Sequence, residues 1–249
     1  MDRLKGKVAL VTGASRGLGR GIALCFAEEG AKVGVNYRNS EREAGEVVAA
    51  IEARGSEAIA LRADVKDEPQ VREMVERVVQ RFGRLDILVS NAGEAKGYPL
   101  VEMPVEVWDE LLAVHLRGCF LCAKYAVPHM LRQGSGKIIN MAGTFGISGG
   151  ANFTHLSAAK AGMIGFTRAL ALELGPKNIH VNAIAPAMIK TELLKNFDPQ
   201  FLESLAQKYP LRRLGEIREV TATALFLASE DSDFFTGQTL CPAGGEVMV

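Results

Sequence analysis

The chain has 249 residues, 48% of them hydrophobic, with 29 basic and 29 acidic side chains and a formal net charge of zero. This length suits a single α/β domain over residues 1–249 with a sizeable core, and the neutral balance argues against general attraction to nucleic acid or an anionic membrane. No apolar run of about 18 residues is present to span a bilayer, and Met1-Asp2-Arg3-Leu4-Lys5-Gly6 leads into a strand without an apolar signal region, so a cytoplasmic location is expected.

Taken in chain order, strand-like runs fall at Val8–Thr12, Val33–Tyr37, Ala58–Arg62, Ile87–Ser90, Lys137–Met141, His180–Ala185 and Gln238–Cys241. Between them lie helix-like segments at Gly17–Glu29, Glu41–Arg54, Glu68–Phe82, Val105–Arg132, Thr154–Leu174 and Ile217–Ser229. Apolar strands alternating with amphipathic helices predict a Rossmann-type, doubly wound parallel sheet of about seven strands with helices on both faces. Ligands of such sheets bind at the carboxyl ends of the strands, near the point where strand order reverses. Residues 187–213 break the alternation, with Pro199 and Pro210, and read as a lid-like insertion over that edge.

The first strand runs into Thr12-Gly-Ala-Ser-Arg-Gly-Leu-Gly19 and then a helix. Glycines there permit a tight turn and close approach of backbone to phosphate, and the helix N–H groups face the anion. Gly13, Ser15, Arg16, Gly17, Leu18 and Gly19 are therefore the expected pyrophosphate-holding residues of a dinucleotide site. The second strand ends in Asn36-Tyr37-Arg38-Asn39, with no carboxylate to accept a bond from an adenosine 2′-hydroxyl. Arg38 and Arg16 suit the 2′-phosphate of NADP. The alternatives are NAD, two merely solvated arginines, or an empty pocket.

Cys25, Cys119, Cys122 and Cys241 show no disulfide spacing. His115, Cys119 and Cys122 share one face of a predicted helix, but the sequence offers no fourth ligand, so packed thiols rather than a metal site are expected.

The glycine turn, Asp64-Val65, Asn91-Ala92-Gly93, Lys160-Ala161-Gly162, Asn182-Ala-Ile-Ala-Pro186, Gly237-Gln238-Thr239 and Gly244-Gly245 occur in an order that resembles the short-chain dehydrogenase/reductase family over the whole chain. The 3-oxoacyl-carrier-protein reductase branch is the most similar. The resemblance implies adenine contacts from Asp64 and Val65, a cofactor middle lined by Asn91 and Gly93, ribose contacts from Lys160, and a carboxamide contact from Thr191 near Pro186. Ala187 stands where the family usually has glycine.

Carbonyl reduction needs an acid for the developing alkoxide. The family supplies Tyr-x-x-x-Lys on one helix, a serine thirteen residues earlier and an upstream asparagine. Here Lys160 is retained, but the tyrosine position is Leu156, the serine position Gly143 and the asparagine position His115. Leu156 has no proton to give. His155 and Ser157 flank it but are rotated about 100° away along a helix. Thr144 could turn a hydroxyl inward, and His115 has a suitable ordinary pKa of about 6.5.

Three functions follow as expectations. The first is a non-catalytic subunit paired with an active sister chain of the family, in a hetero- or homo-oligomer acting on a hydroxyacyl thioester. It would associate through Val105–Arg132, Thr154–Leu174 (with Phe166, Leu170 and Leu174 at helical spacing) and the final strand. The second is an NAD(P)-dependent carbonyl reductase or alcohol dehydrogenase using a non-standard acid such as His155 or His115. The third is a dinucleotide-sensing binding protein.

Overall fold

The computed structural model describes residues 2–192, 194 and 198–248. The strand-like runs form β1 (Val8–Val11), β2 (Lys32–Tyr37), β3 (Ala58–Arg62), β4 (Ile87–Ser90), β5 (Gly136–Met141), β6 (Ile179–Ile184) and β7 (Thr239–Leu240). Among the described residues they make one seven-stranded sheet in the order β3-β2-β1-β4-β5-β6-β7, every pair parallel. The order reverses between β1 and β4, which places a ligand crevice at their carboxyl ends.

Alternation along each strand divides the core into two layers. Ala9 and Val11 of β1 face one layer, filled from α1 (Gly17–Glu28), α2 (Glu41–Glu52) and α9 (Ile217–Ala228) by Ile22, Phe26, Val47, Ile51 and Leu227. Val8 and Leu10 face the other, filled from α3 (Glu68–Phe82), α5 (Gly118–Gln133) and α7 (Thr154–Leu174) by Val75, Val78, Leu121, Met130 and Leu174. The start of α3 is fixed by Asp67, whose side chain accepts from the Gln70 N–H at 3.0 Å, and its end by Gly83 in the left-handed region.

The helix expected over Val105–Arg132 is continuous over Val105–Gln133 but not uniform. It runs as α4 (Val105–Leu112), a π-helical turn (Ala113–Arg117) and α5. The extra residue of a π turn re-aims the side chains around it, and His115 lies within this one. By length and composition the 29-residue helix could cross a membrane, although the sequence holds no unbroken apolar run there; half of its most apolar stretch is buried inside the fold.

The segment expected as an irregular lid is partly ordered by its own small core. After β6, Ile189 bridges to Gly215, α8 (Pro199–Lys208) is capped by Asp198, and Leu194, Ala206, Tyr209 and Leu214 pack together. Residues 193 and 195–197 of the expected lid lie outside the described residues. Because β7 is parallel to β6, the tail that follows it emerges at the carboxyl edge, where Gly244 accepts a bond from the Leu211 N–H at 3.1 Å.

Candidate functional site

A cleft of about 540 Å³ opens at the β1/β4 switch point, a size typical of small-molecule sites. Its lining brings together Gly13, Ser15, Arg16, Gly17 and Leu18 from the first turn, Arg38 from the end of β2, Asp64 and Val65 after β3, Asn91 and Gly93 after β4, and Thr191 from the lid. Gly19 closes the turn from below. A Cβ there would sit 2.3 Å from the Gly13 carbonyl oxygen and 2.5 Å from Asn91 Nδ2, so no larger residue fits. The first turn of α1 has no side-chain cap and no acidic residue, leaving its N–H groups to an anion.

Two residues that motif reading passed over pin this floor. The Thr12 hydroxyl accepts from the backbone N–H groups of Asn91 and Ala92 at 2.9 and 3.0 Å. Asn36 accepts from the Gly13 N–H at 3.0 Å and donates to the carbonyls of Leu61 and Ala63 at 3.2 and 3.1 Å. Asn91 donates to the Thr12 and Gly13 carbonyls at 2.9 and 3.2 Å. Both Thr12 and Asn36 are buried polar residues on strand ends, a pattern that a glycine signature does not carry.

At the β2 end of the cleft, the Arg38 guanidinium lies 4.0 Å from the Asp64 carboxylate, which Lys66 also approaches at 3.7 Å. Arg38 and Arg16 both line the cleft, so the end of β2 presents cations and no free carboxylate to a ribose substituent. A nicotinamide dinucleotide fits this donor set: helix N–H groups without a side-chain cap for its pyrophosphate, above a turn too tight for any side chain at residue 19.

The other half of the expected site lies outside that cleft. Leu156 is 6% exposed and packs with Leu111, Ala159, Phe145 and Phe153. Gly143 has φ +86° and carries no side chain; a Cβ there would meet nothing nearer than the Pro186 carbonyl oxygen at 4.0 Å. Pro186 does not line the cleft; its carbonyl accepts from the Thr144 N–H at 3.2 Å and shapes the turn after β5. Lys160 donates to the Met141 carbonyl, and burial lowers its pKa to about 8. Its ammonium is thus held by backbone rather than by a phenol.

The groups considered as substitutes fare differently. His115 is buried and its Nε2 lies 2.8 Å from the Glu94 carbonyl oxygen. Burial, reinforced by the Lys160 charge, holds its pKa down to about 3, so it carries no proton to give near neutrality. His155 is fully buried, with neither ring nitrogen partnered, and packs edge-on against Tyr98 with ring centroids 6.4 Å apart. The Thr144 side chain lies beside Glu246 and acts to lower its pKa, while Glu246 Oε2 has no hydrogen-bond partner. Glu246 is the ionisable group that sequence reading missed: it stands on the tail after β7, beside Thr144, and burial raises its pKa.

The thiols behave as packed groups. Cys119 donates to Asn140 Oδ1 at 3.1 Å, and burial pushes its pKa up to about 12; burial raises Cys122 as well. Among the described residues no cluster of three or more His, Cys, Asp or Glu side chains could hold a metal ion.

A family model described as enoyl-(acyl carrier protein) reductase matches residues 13–246. The 3-oxoacyl-[acyl-carrier-protein] reductase FabG of Staphylococcus aureus is 42% identical over 242 residues, covering 97% of this chain and 98% of that protein. The chain belongs to the short-chain dehydrogenase/reductase family. Two solved short-chain dehydrogenase/reductase-like structures agree closely in fold. A putative short-chain alcohol dehydrogenase from Sinorhizobium meliloti 1021 has a TM-score of 0.93 at 36% identity, covering 97% of this chain and 96% of that one. An NAD+-bound xylitol dehydrogenase has a TM-score of 0.92 at 33% identity, covering 97% and 99%.

Proposed function

We propose that this chain is a single-domain, NADP-binding short-chain dehydrogenase/reductase subunit without its own proton-transfer machinery, working in the cytoplasm beside an active sister subunit on a 3-oxoacyl or 3-hydroxyacyl thioester. The observation that carries this reading is Leu156, buried among aliphatic and aromatic side chains where the family's phenol would stand. The thioester class rests on the carrier-protein reductase named among its relatives. NADP over NAD rests on Arg16 and Arg38 lining the cleft with no carboxylate at the end of β2; the NAD+-bound structural relative makes NAD the comparison to run.

In this reading Gly13, Ser15, Arg16, Gly17, Leu18 and Gly19 hold the pyrophosphate, Asp64 and Val65 the adenine, Asn91 and Gly93 the central ribose and phosphates, and Thr191 the carboxamide. Bound dinucleotide would supply or accept hydride. Lys160 would hold the nicotinamide ribose, Thr12 and Asn36 would orient the floor, and the lid would exclude water. Nothing at residues 143 or 156 would move a proton.

One test is turnover of the purified chain with NADPH and a 3-oxoacyl thioester, alone and after co-expression with a family sister chain. No activity alone, with a stable active complex on co-expression, is expected. Turnover by the chain alone, or failure to recover any mixed complex, overturns the reading. Leu156→Tyr, alone and with Gly143→Ser, reports on the missing groups; the serine costs about 1–2 kcal/mol at a left-handed backbone position, so the single variant is the cleaner one.

A second reading, an oxidoreductase with a non-standard acid, is favoured by Glu246. Burial raises its pKa, the direction that suits a carboxyl to general-acid work. Turnover by the wild-type chain that disappears in Glu246→Gln, with dinucleotide affinity unchanged, would select this reading over the first.

A further inference from the structure

The His115, Cys119 and Cys122 face, which the dinucleotide cleft leaves unused, borders a separate small cavity of about 10 Å³. Val65, Ala92 and Val114 line both this cavity and the cleft, so it lies directly beneath the floor on which a dinucleotide would rest. Both cysteines stay protonated, for the burial given above, and supply no thiolate for a metal. Two other lining groups are unsatisfied. Ser90 Oγ and His115 Nδ1 are buried, with residue exposures of 5% and 4%, and neither has a nitrogen or oxygen partner; the Cys119 sulfur beside Ser90 is only a weak acceptor.

The remaining nitrogen of His115 fixes the chemistry required. Nε2 lies 2.8 Å from the Glu94 carbonyl oxygen and 3.3 Å from the Glu94 N–H; the shorter contact is the one that a protonated Nε2 makes, and it sets the tautomer. In the neutral imidazole Nδ1 is then a bare lone pair that needs a donor. Leaving it and the serine hydroxyl unpaired would cost about 1–3 kcal/mol each. The cavity has the volume of about one water, and one water has the donors and acceptors to serve both groups.

We propose that this cavity binds a single internal water that donates to His115 Nδ1 and bonds Ser90 Oγ, making Ser90 and His115 positioning residues for the dinucleotide cleft. The water locks the tautomer in which Nε2–H holds the Glu94 carbonyl. The same ring stands against Gly93, where a Cβ would sit 2.2 Å from His115 Cε1. Gly93 and Glu94 both line the cleft, so the tautomer sets the position of that wall. The link to the dinucleotide rests on the cleft reading above; the water and the tautomer do not.

The test uses the full chain without dinucleotide or substrate, so its outcome is independent of turnover. A long-range proton–nitrogen NMR spectrum of histidine-labelled protein at neutral pH is expected to show His115 protonated at Nε2 and bare at Nδ1. A high-resolution crystal structure is expected to show one water within hydrogen-bonding distance of both Nδ1 and Ser90 Oγ. Ser90→Ala is expected to weaken NADPH binding by roughly threefold to tenfold and to perturb the His115 nitrogen signals, with Ser90→Thr restoring both. A dry cavity, a direct Ser90–His115 bond, an Nδ1-protonated ring, or a Ser90→Ala variant with unaltered signals and affinity would each overturn the proposal. Should Ser90→Ala fail to fold, the wild-type spectrum and crystal structure still decide it.

Discussion

Leu156 occupies its place through packing, and its replacement separates stability from chemistry. Truncation to alanine in the cluster of Leu111, Phe145 and Phe153 is expected to cost about 2–4 kcal/mol by denaturant unfolding. Leu156→Tyr adds a ring and a hydroxyl to a filled space and is expected to cost about 1–3 kcal/mol, so any gain of activity must be read on the folded fraction. His115 makes a pH prediction of definite sign. Its ordinary pKa of 6.5 is held at about 3 in the fold, so the unfolded chain takes up a proton below pH 6.5 while the folded chain does not until about 3. The contribution is complete above 6.5 and is lost as pH falls through that window, by about 1.4 kcal/mol per unit. Urea unfolding at pH 6.5 and 5 is expected to show a smaller decline in His115→Asn than in the wild type; equal declines would refute this assignment.

At the scale of elements, the first strand–turn–helix was legible because its glycines mark a backbone geometry that few residue types permit. Gly19→Ala should drive a Cβ into the Gly13 carbonyl and Asn91, and more than tenfold loss of NADPH affinity by calorimetry is expected. Arg38→Glu should reverse the preference between NADP and NAD, since it places a carboxylate where the 2′-phosphate would lie; an unchanged ratio of dissociation constants would remove Arg38 from that role. The π turn at Ala113–Arg117 was not legible, because a helical pattern of apolar residues does not register one extra residue. Nor were the directions of the α7 side chains fully readable. Of Phe166, Leu170 and Leu174, expected on an oligomer face by their spacing, Leu174 is buried in the chain's own core and the other two are only partly buried against it, while Leu172 stands exposed. Spacing identifies an apolar stripe without saying what covers it. Glu246, unlike Thr144, escaped notice for a related reason: the two are distant in sequence and meet only because β7 is parallel to β6.

For the molecule as a whole, the strand order makes dinucleotide binding a stability term. At a concentration one hundred times the dissociation constant, NADPH is expected to add about 2.7 kcal/mol, roughly 5–10 °C in melting temperature for a chain of this size; no shift at saturation would contradict an open, competent cleft. Among the described residues, the strands of residues 8–62 meet those of residues 87–240 along the β1–β4 seam alone, through the paired residues Ala9 and Ile87, Leu10 and Leu88, and Val11 and Val89. A molecule resting across the top of that join touches both half-sheets at once and acts as a staple between them. Amides along the join should therefore exchange with deuterium more slowly when the staple is present, and release of the cofactor should be coupled to breathing of the sheet itself rather than to movement of the lid alone.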